Sequence, residues 1–234
     1  MNSLEFFSSL KEEESIALRV DEFEKVYGIL RAGKIAKGHS TLSIKIGESD
    51  EEIDLGPEAV LRADFPQPKN MMLFCMGALS DDQGGIISGE ENGTFTFDTR
   101  FLEFGTHVLF ITNATEFAQR INVALTKEAN AFSSPFIHEG FGMINYRSLD
   151  NYSGAIGLFT KDSKYSWQRE FRISFGVENQ SLNSRGAYEL QIGDISDISH
   201  ISSVQAMIDN PITIKRRSFR KTVDGFEQIT DANQ

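Results

Sequence analysis

The run Tyr165-Ser166-Trp167-Gln168-Arg169-Glu170-Phe171-Arg172-Ile173-Ser174-Phe175 alternates in a way that could organise chemistry. Its period of two predicts a strand over 165–175. Tyr165, Trp167, Phe171, Ile173 and Phe175 then share one face, with Arg169 among them, and Ser166, Gln168, Glu170, Arg172 and Ser174 share the other. Next-but-one residues lie about 6.5–7 Å apart along a strand. An amide, a carboxylate and a guanidinium in one row could therefore reach a single polar ligand on a cleft floor. Gln168, Glu170 and Arg172 are the candidate catalytic residues. The same row also reads as a solvated face, because polar faces of antiparallel strands are usually wet. In that reading Glu170 and Arg172 pair with neighbouring strands for a few tenths of a kcal/mol each.

Other chemistry has less to stand on. The single cysteine, Cys75, lies in the apolar run Met71-Met72-Leu73-Phe74-Cys75-Met76 and reads as an inert core thiol. His39, His107, His138 and His200 are scattered without metal-ligand spacing, so no metal site is expected. Asp194 and Asp197 resemble capping residues more than a metal pair. There is no Walker loop, dinucleotide glycine fingerprint or nucleophile elbow. Gly84-Gly85 sits among acids that would repel a phosphate.

The elements that would hold such a row follow from periodicity. Ser9 and Glu12 have capping-box spacing, and Ile16, Val20, Phe23, Tyr27 and Leu30 recur at helical intervals, which predicts a helix over 9–32 ended by Gly33. Leu42, Ile44 and Ile46 predict a half-buried strand, and Met71–Met76 a central one. Asp81 to Gly93 reads as a long surface loop, and Thr94 to Phe97 alternates again. Val108 to Ile111 reads as a buried strand that leads into a helix from Ala114 to about Lys127, capped by Asn113 with Glu116. Short strands are expected near 143–146, 155–159 and 188–192. A third helix is expected over 198–208, with Asp209-Asn210-Pro211 ending it. The last residues, 226–234, read as a frayed polar tail after one globular domain over 1–225.

The fold class expected is therefore α+β: a mostly antiparallel bent or double sheet with about three helices. A chain of 234 residues buries enough surface to need no disulfide or metal staple. One cysteine forms no internal disulfide, and neither a signal peptide nor a membrane-spanning run is evident, so a cytoplasmic protein of a bacterium or of a phage-infected host is expected, with no membrane partner. The formal net charge of −11 disfavours broad nucleic-acid binding. The basic run Lys215-Arg216-Arg217-Ser218-Phe219-Arg220-Lys221 reads as a solvated segment or as a docking site for an acidic or phosphate-bearing partner.

Lys161 to Arg172, with Trp167, Glu170, Phe171 and Arg172, resembles a segment of uncharacterised bacterial proteins met among abortive-infection genes. In that group a lysine precedes an aromatic-rich strand ending in a Glu-aromatic-Arg triplet. Phe104-Gly105 to Ile111, then Glu116-Phe117 and Arg120-Ile121, is similar in order, and the resemblance covers residues 70–175. Together with an acidic, compact chain that lacks a specific catalytic motif, it leads to the expectation of a non-enzymatic binding or regulatory protein of bacterium–phage conflict that acts through a protein partner, with no cofactor expected. Gln168-Arg169-Glu170 also resembles the Gln-x-Glu strand motif of ADP-ribosyltransferases. That resemblance implies an NAD-handling effector in which Glu170 is the catalytic acid and Gln168 orients the acceptor. The Ser-Thr-Ser strand of that family is only approximated by Ser40-Thr41-Leu42-Ser43, and no first-strand arginine stands out.

Overall fold

The structure, a computed structural model, describes residues 1–9, 21–35, 38–48, 50–81, 86–128, 130–132, 140–215, 218–223 and 225–229. It has helices and several small, mainly antiparallel sheets, as the α+β expectation holds. The chain divides into two compact units, Met1–Ala78 with Ile111–His200, and Leu79–Phe110 with Ile201–Gln234. Among the described residues no helix is long and apolar enough to cross a membrane.

The first unit is built on a five-stranded antiparallel sheet. Its central strand is Glu170–Val177, paired along its length with Met71–Gly77. Asn2–Ser3 extends the sheet beyond Met71–Gly77, and both Ala131–Phe132 and Phe141–Met143 pair with the far side of Glu170–Val177. Met71–Gly77 was legible because an unbroken apolar run suits a strand that has neighbours on both sides.

Directly opposed residues in an antiparallel pair share a face. Cross-strand partners therefore place Met72 with Phe175, Phe74 with Ile173 and Phe141, and Met76 with Phe171 and Met143 on one face. The other face carries Leu73 with Ser174, Cys75 with Arg172 and Gly142, and Gly77 with Glu170. Helix Ala114–Lys127 lays Phe117 and Ile121 against Met72, Ile173, Phe175 and Val177 on the first face. Its N-terminus is as the sequence implies: the Asn113 side chain accepts from the Glu116 amide at 3.0 Å. On the second face Leu4, Phe65 and Leu158 pack on Met71 and Leu73 at one end.

Over residues 21–32, which are described, the helix predicted over 9–32 does not form. A short helix, Leu4–Ser9, precedes it, and residues 10–20, including Glu12, Ile16 and Val20, lie outside the described residues. The helix cap is Ser3, which accepts from the Phe6 amide at 3.1 Å. Ser9 instead donates to the Phe6 carbonyl in the last turn. Val26–Arg31 is a strand paired with Val60–Asp64 and Gly154–Ala155. The helical spacing of Phe23, Tyr27 and Leu30 was coincidental. Val26 and Ile29 are buried against Leu149 and Ile156, and pairing with 60–64 satisfies the backbone in place of helical bonds.

The strand expected over 165–175 begins late. Ser163–Gln168 is a 3-10 helix, capped by Asp162, which accepts from the Lys164 amide. Arg169 then adopts the left-handed conformation at φ 48°, ψ 46°. A non-glycine residue there cannot continue a strand, so the ladder starts at Glu170 and the parity of 165–168 carries no meaning.

The helix expected over 198–208 is likewise broken. A 3-10 turn Ser196–Ile198 leads to a strand Ser199–Ser203, and only Val204–Asp209 is helical, capped by Ser203, which accepts from the Ala206 amide. Of the stretch 155–159 only Ala155 is strand, as the end of Gly154–Ala155, and 188–192 is irregular. Ser43–Lys45 pairs with Glu52–Asp54 as an isolated hairpin that buries none of its side chains.

In the second unit Thr94–Phe95 pairs with Ile212–Thr213. Phe95, Phe97, Phe101 and Phe104 form a chain of ring contacts, with Phe110 against Phe97. Of the expected loop 81–93, residues 82–85 lie outside the described residues, and Asp81 bridges to Ile87. The basic run contributes Ser218–Thr222 to a hairpin with Gly225–Ile229, so strand pairing continues to Ile229, beyond the expected start of the tail.

Candidate functional site

Glu170 and Arg172 occupy the second face of the central strand at the end that Leu4 and Leu73 do not fill. Three features bring other charges there. A parallel pair, Asn145–Arg147 with Thr160–Asp162, sets Tyr146 opposite Lys161. The 3-10 turn and left-handed Arg169 fold the chain back so that Gln168 and Glu170 both reach Lys161. The turn ahead of Val26 carries Asp21 and Glu24.

The resulting geometry is a closed ionic network. Lys161 Nζ donates to Gln168 Oε1 and to Glu170 Oε2, each at 3.0 Å. Arg172 Nε donates to Glu170 Oε1 at 2.5 Å, Nη1 to the Leu158 carbonyl at 2.8 Å, and Nη2 pairs with Glu24 Oε1 at 2.7 Å. The Tyr146 hydroxyl accepts from the Glu170 amide at 2.9 Å. Glu170 is 6% exposed, Lys161 6% and Arg172 2%, and Gln168, Glu24 and Asp21 are buried too. Gly142 and Gly77, the cross-strand neighbours of Arg172 and Glu170, bring no side chain, and the Phe159 ring lies over Gly142.

Burial by itself raises a carboxyl pKa, but Arg172 and Lys161 outweigh it and hold Glu170 down at about 2. Burial likewise works against the charged forms of Arg172 and Lys161. The acids around them more than compensate, and both are raised. Glu24 goes the other way: desolvation dominates over the attraction of Arg172 and Lys161, and its carboxyl is raised.

The three residues singled out from sequence are thus brought together, although Gln168 arrives from a 3-10 turn and not from the strand. Lys161 was visible only as part of a resemblance. Glu24, Asp21 and Tyr146 were not found. Glu24 and Asp21 sit in a turn, where no periodicity marks a buried acid. The one available signal was stoichiometric: two cations and one carboxylate in a sealed place require further acids.

Cys75 is exposed, against the expectation of a core thiol, although its thiol shares a sheet face with the buried Arg172 and its pKa is pushed up by desolvation. Ser174, two residues further along that face, is buried with no hydrogen-bond partner for its hydroxyl. Asp194 accepts from the Ser196 amide at 2.8 Å, and Asp197 takes both ends of the Arg120 guanidinium, so these acids hold a turn and a helix. Among the described residues no three His, Cys, Asp or Glu side chains gather as a metal group.

On the sheet's first face some apolar side chains stay in solvent. Phe74 is 40% exposed, Phe141 45% and Met143 38%, with Phe171 half-buried beneath Phe141 at 6.4 Å between ring centres. A shallow depression lies along the outer side of the helix, lined by Ala114, Ala118, Gln119 and Asn122, none of them part of the ionic network.

No family model, no curated protein and no solved structure matches this chain.

Proposed function

We propose that the chain is a non-enzymatic binding protein of bacterium–phage conflict that acts through protein–protein contacts. The observation that carries this reading is the split between the two faces of one sheet. The polar residues that could do chemistry are sealed and engaged with one another. The apolar residues Phe74, Phe141 and Met143 are turned to solvent on the two strands that flank the central one. Aromatic and methionine side chains are enriched where proteins bind each other, and an exposed cluster of them marks a contact surface more readily than scattered single residues do. An acid at about pKa 2 with both oxygens engaged is poorly placed to meet a substrate.

The test compares the wild type with a Phe74→Ser/Phe141→Ser variant, each used to capture partners from phage-infected cells. A partner held by the wild type and lost by the variant, with the melting midpoint unchanged, is expected. Equal capture by both would refute the assignment of this face.

The alternative reading, an ADP-ribosyltransferase-like effector using Glu170, rests on Gln168 and Glu170 meeting on one lysine. Transfer of label from NAD to protein by the wild type, absent in Glu170→Ala, would favour it.

A further inference from the structure

Among the described residues the buried network holds one more acid than it has cations. Asp21, Glu24 and Glu170 are all under a tenth exposed, and the cations buried with them are Lys161 and Arg172; Asp162, buried as well, gives its two oxygens to the amides of Leu149 and Lys164. Glu24 faces Glu170 and Arg172 from the central strand, Lys161 from the strand Thr160–Asp162, and Asp21 from its own turn. Cys75 lies opposite Arg172, and Tyr165 packs over Lys161. Lys164, also near Tyr165, stands in solvent.

The shortage falls on one group. Glu170 takes both Lys161 and the Nε of Arg172. Among the described residues Glu24 has a single ion pair, to Arg172 Nη2, and shares that guanidinium with Glu170. Asp21 spends one oxygen on the amide of Phe23. A neutral carboxyl at Glu24 still accepts from Arg172 through its carbonyl oxygen, so a proton there removes the surplus charge without losing the bond.

We infer that Glu24 is a proton-operated latch, in which proton uptake at its carboxyl tightens the hold of the turn 21–25 on the sheet. The side chain is well placed for this. The turn carries the Glu24 amide bond to the Asp21 carbonyl and the Val26 amide bond to the Phe23 carbonyl, and leads directly into the strand Val26–Arg31. Arg172, at the middle of the main sheet, is what Glu24 grips. Desolvation raises the Glu24 carboxyl, in the same direction as the charge count.

The sign follows from linkage. A carboxyl raised in the folded state contributes stability that is complete below its ordinary value and is lost as pH rises to the folded value. Protection of the Glu24 and Val26 amides against hydrogen exchange, corrected for the intrinsic rate, is therefore expected to fall by up to tenfold per pH unit from the ordinary glutamate range up to the Glu24 midpoint, then to level off. The experiment pairs that measurement with a carbon-13 titration of the Glu24 carboxyl. Glu24→Gln copies the protonated form, and should fold and make protection of this turn independent of pH over that interval. Asp21→Asn removes the surplus charge, and should bring the Glu24 midpoint down. A Glu24 midpoint at or below the ordinary glutamate value overturns the latch. So does a Glu24→Gln protein that keeps the wild-type pH dependence or fails to fold.

Discussion

Glu170→Gln separates a structural network from a solvated site. Glu170 gives one oxygen to Lys161 and the other to Arg172. An amide has only one oxygen, so glutamine must turn its NH2 towards one of the two cations. The folded carboxyl is held at about 2 against an ordinary value of 4.5, a difference of about 2.5 pH units. At 1.36 kcal/mol per unit this is about 3 kcal/mol of stabilisation of the ionised form. Because Glu170 is 6% exposed, little of it is lost to solvent screening. Leaving a buried cation unpaired costs roughly 3–5 kcal/mol, and for a chain of this length that lowers the melting midpoint by roughly 6–20 °C. Trp167, the single tryptophan, lies in the same unit and reports the transition by fluorescence. Glu170 has a depressed pKa, so its contribution is complete above about pH 4.5 and vanishes as pH falls through about 2. The gap between wild type and variant should close over that interval. A variant as stable as the wild type at neutral pH would refute the network's structural role.

Phe117→Ala empties a buried position between helix and sheet, and should cost roughly 3–5 kcal/mol by chemical denaturation with the slope unchanged. Asn113→Ala leaves the Glu116 amide without its cap and should cost about 1 kcal/mol in the same assay. Trp167 is half-buried, so native emission should be blue-shifted from the unfolded protein's and partly shielded from iodide; emission at the unfolded wavelength would contradict its placement.

What the sequence revealed depended on whether a pattern was decided locally. Helix Ala114–Lys127 has an amphipathic stripe and a side-chain cap within one segment, and both are found in place. Val26–Arg31 has a helical spacing that tertiary pairing with Val60–Asp64 overrides, and no local signal announces a partner some 30 residues away. Arg169 is the instructive case. Its left-handed backbone ends the 3-10 turn and starts the strand, yet arginine is not a residue that advertises such a conformation. Gln168 joined Glu170 and Arg172 in spite of this, because the fold-back replaced the strand geometry expected to align them. The network's other members were hidden because a buried acid such as Glu24 is defined by partners far away in sequence.

The most direct measurement of the proposed role is phage plating on bacteria that express the wild type or the Phe74→Ser/Phe141→Ser protein at equal levels. Plating efficiency is expected to change with the wild type and to return to the empty-vector value with the variant, while both proteins melt at the same temperature. A variant as effective as the wild type, or a wild type without effect on any phage tested, would contradict a binding protein of phage conflict that works through this face.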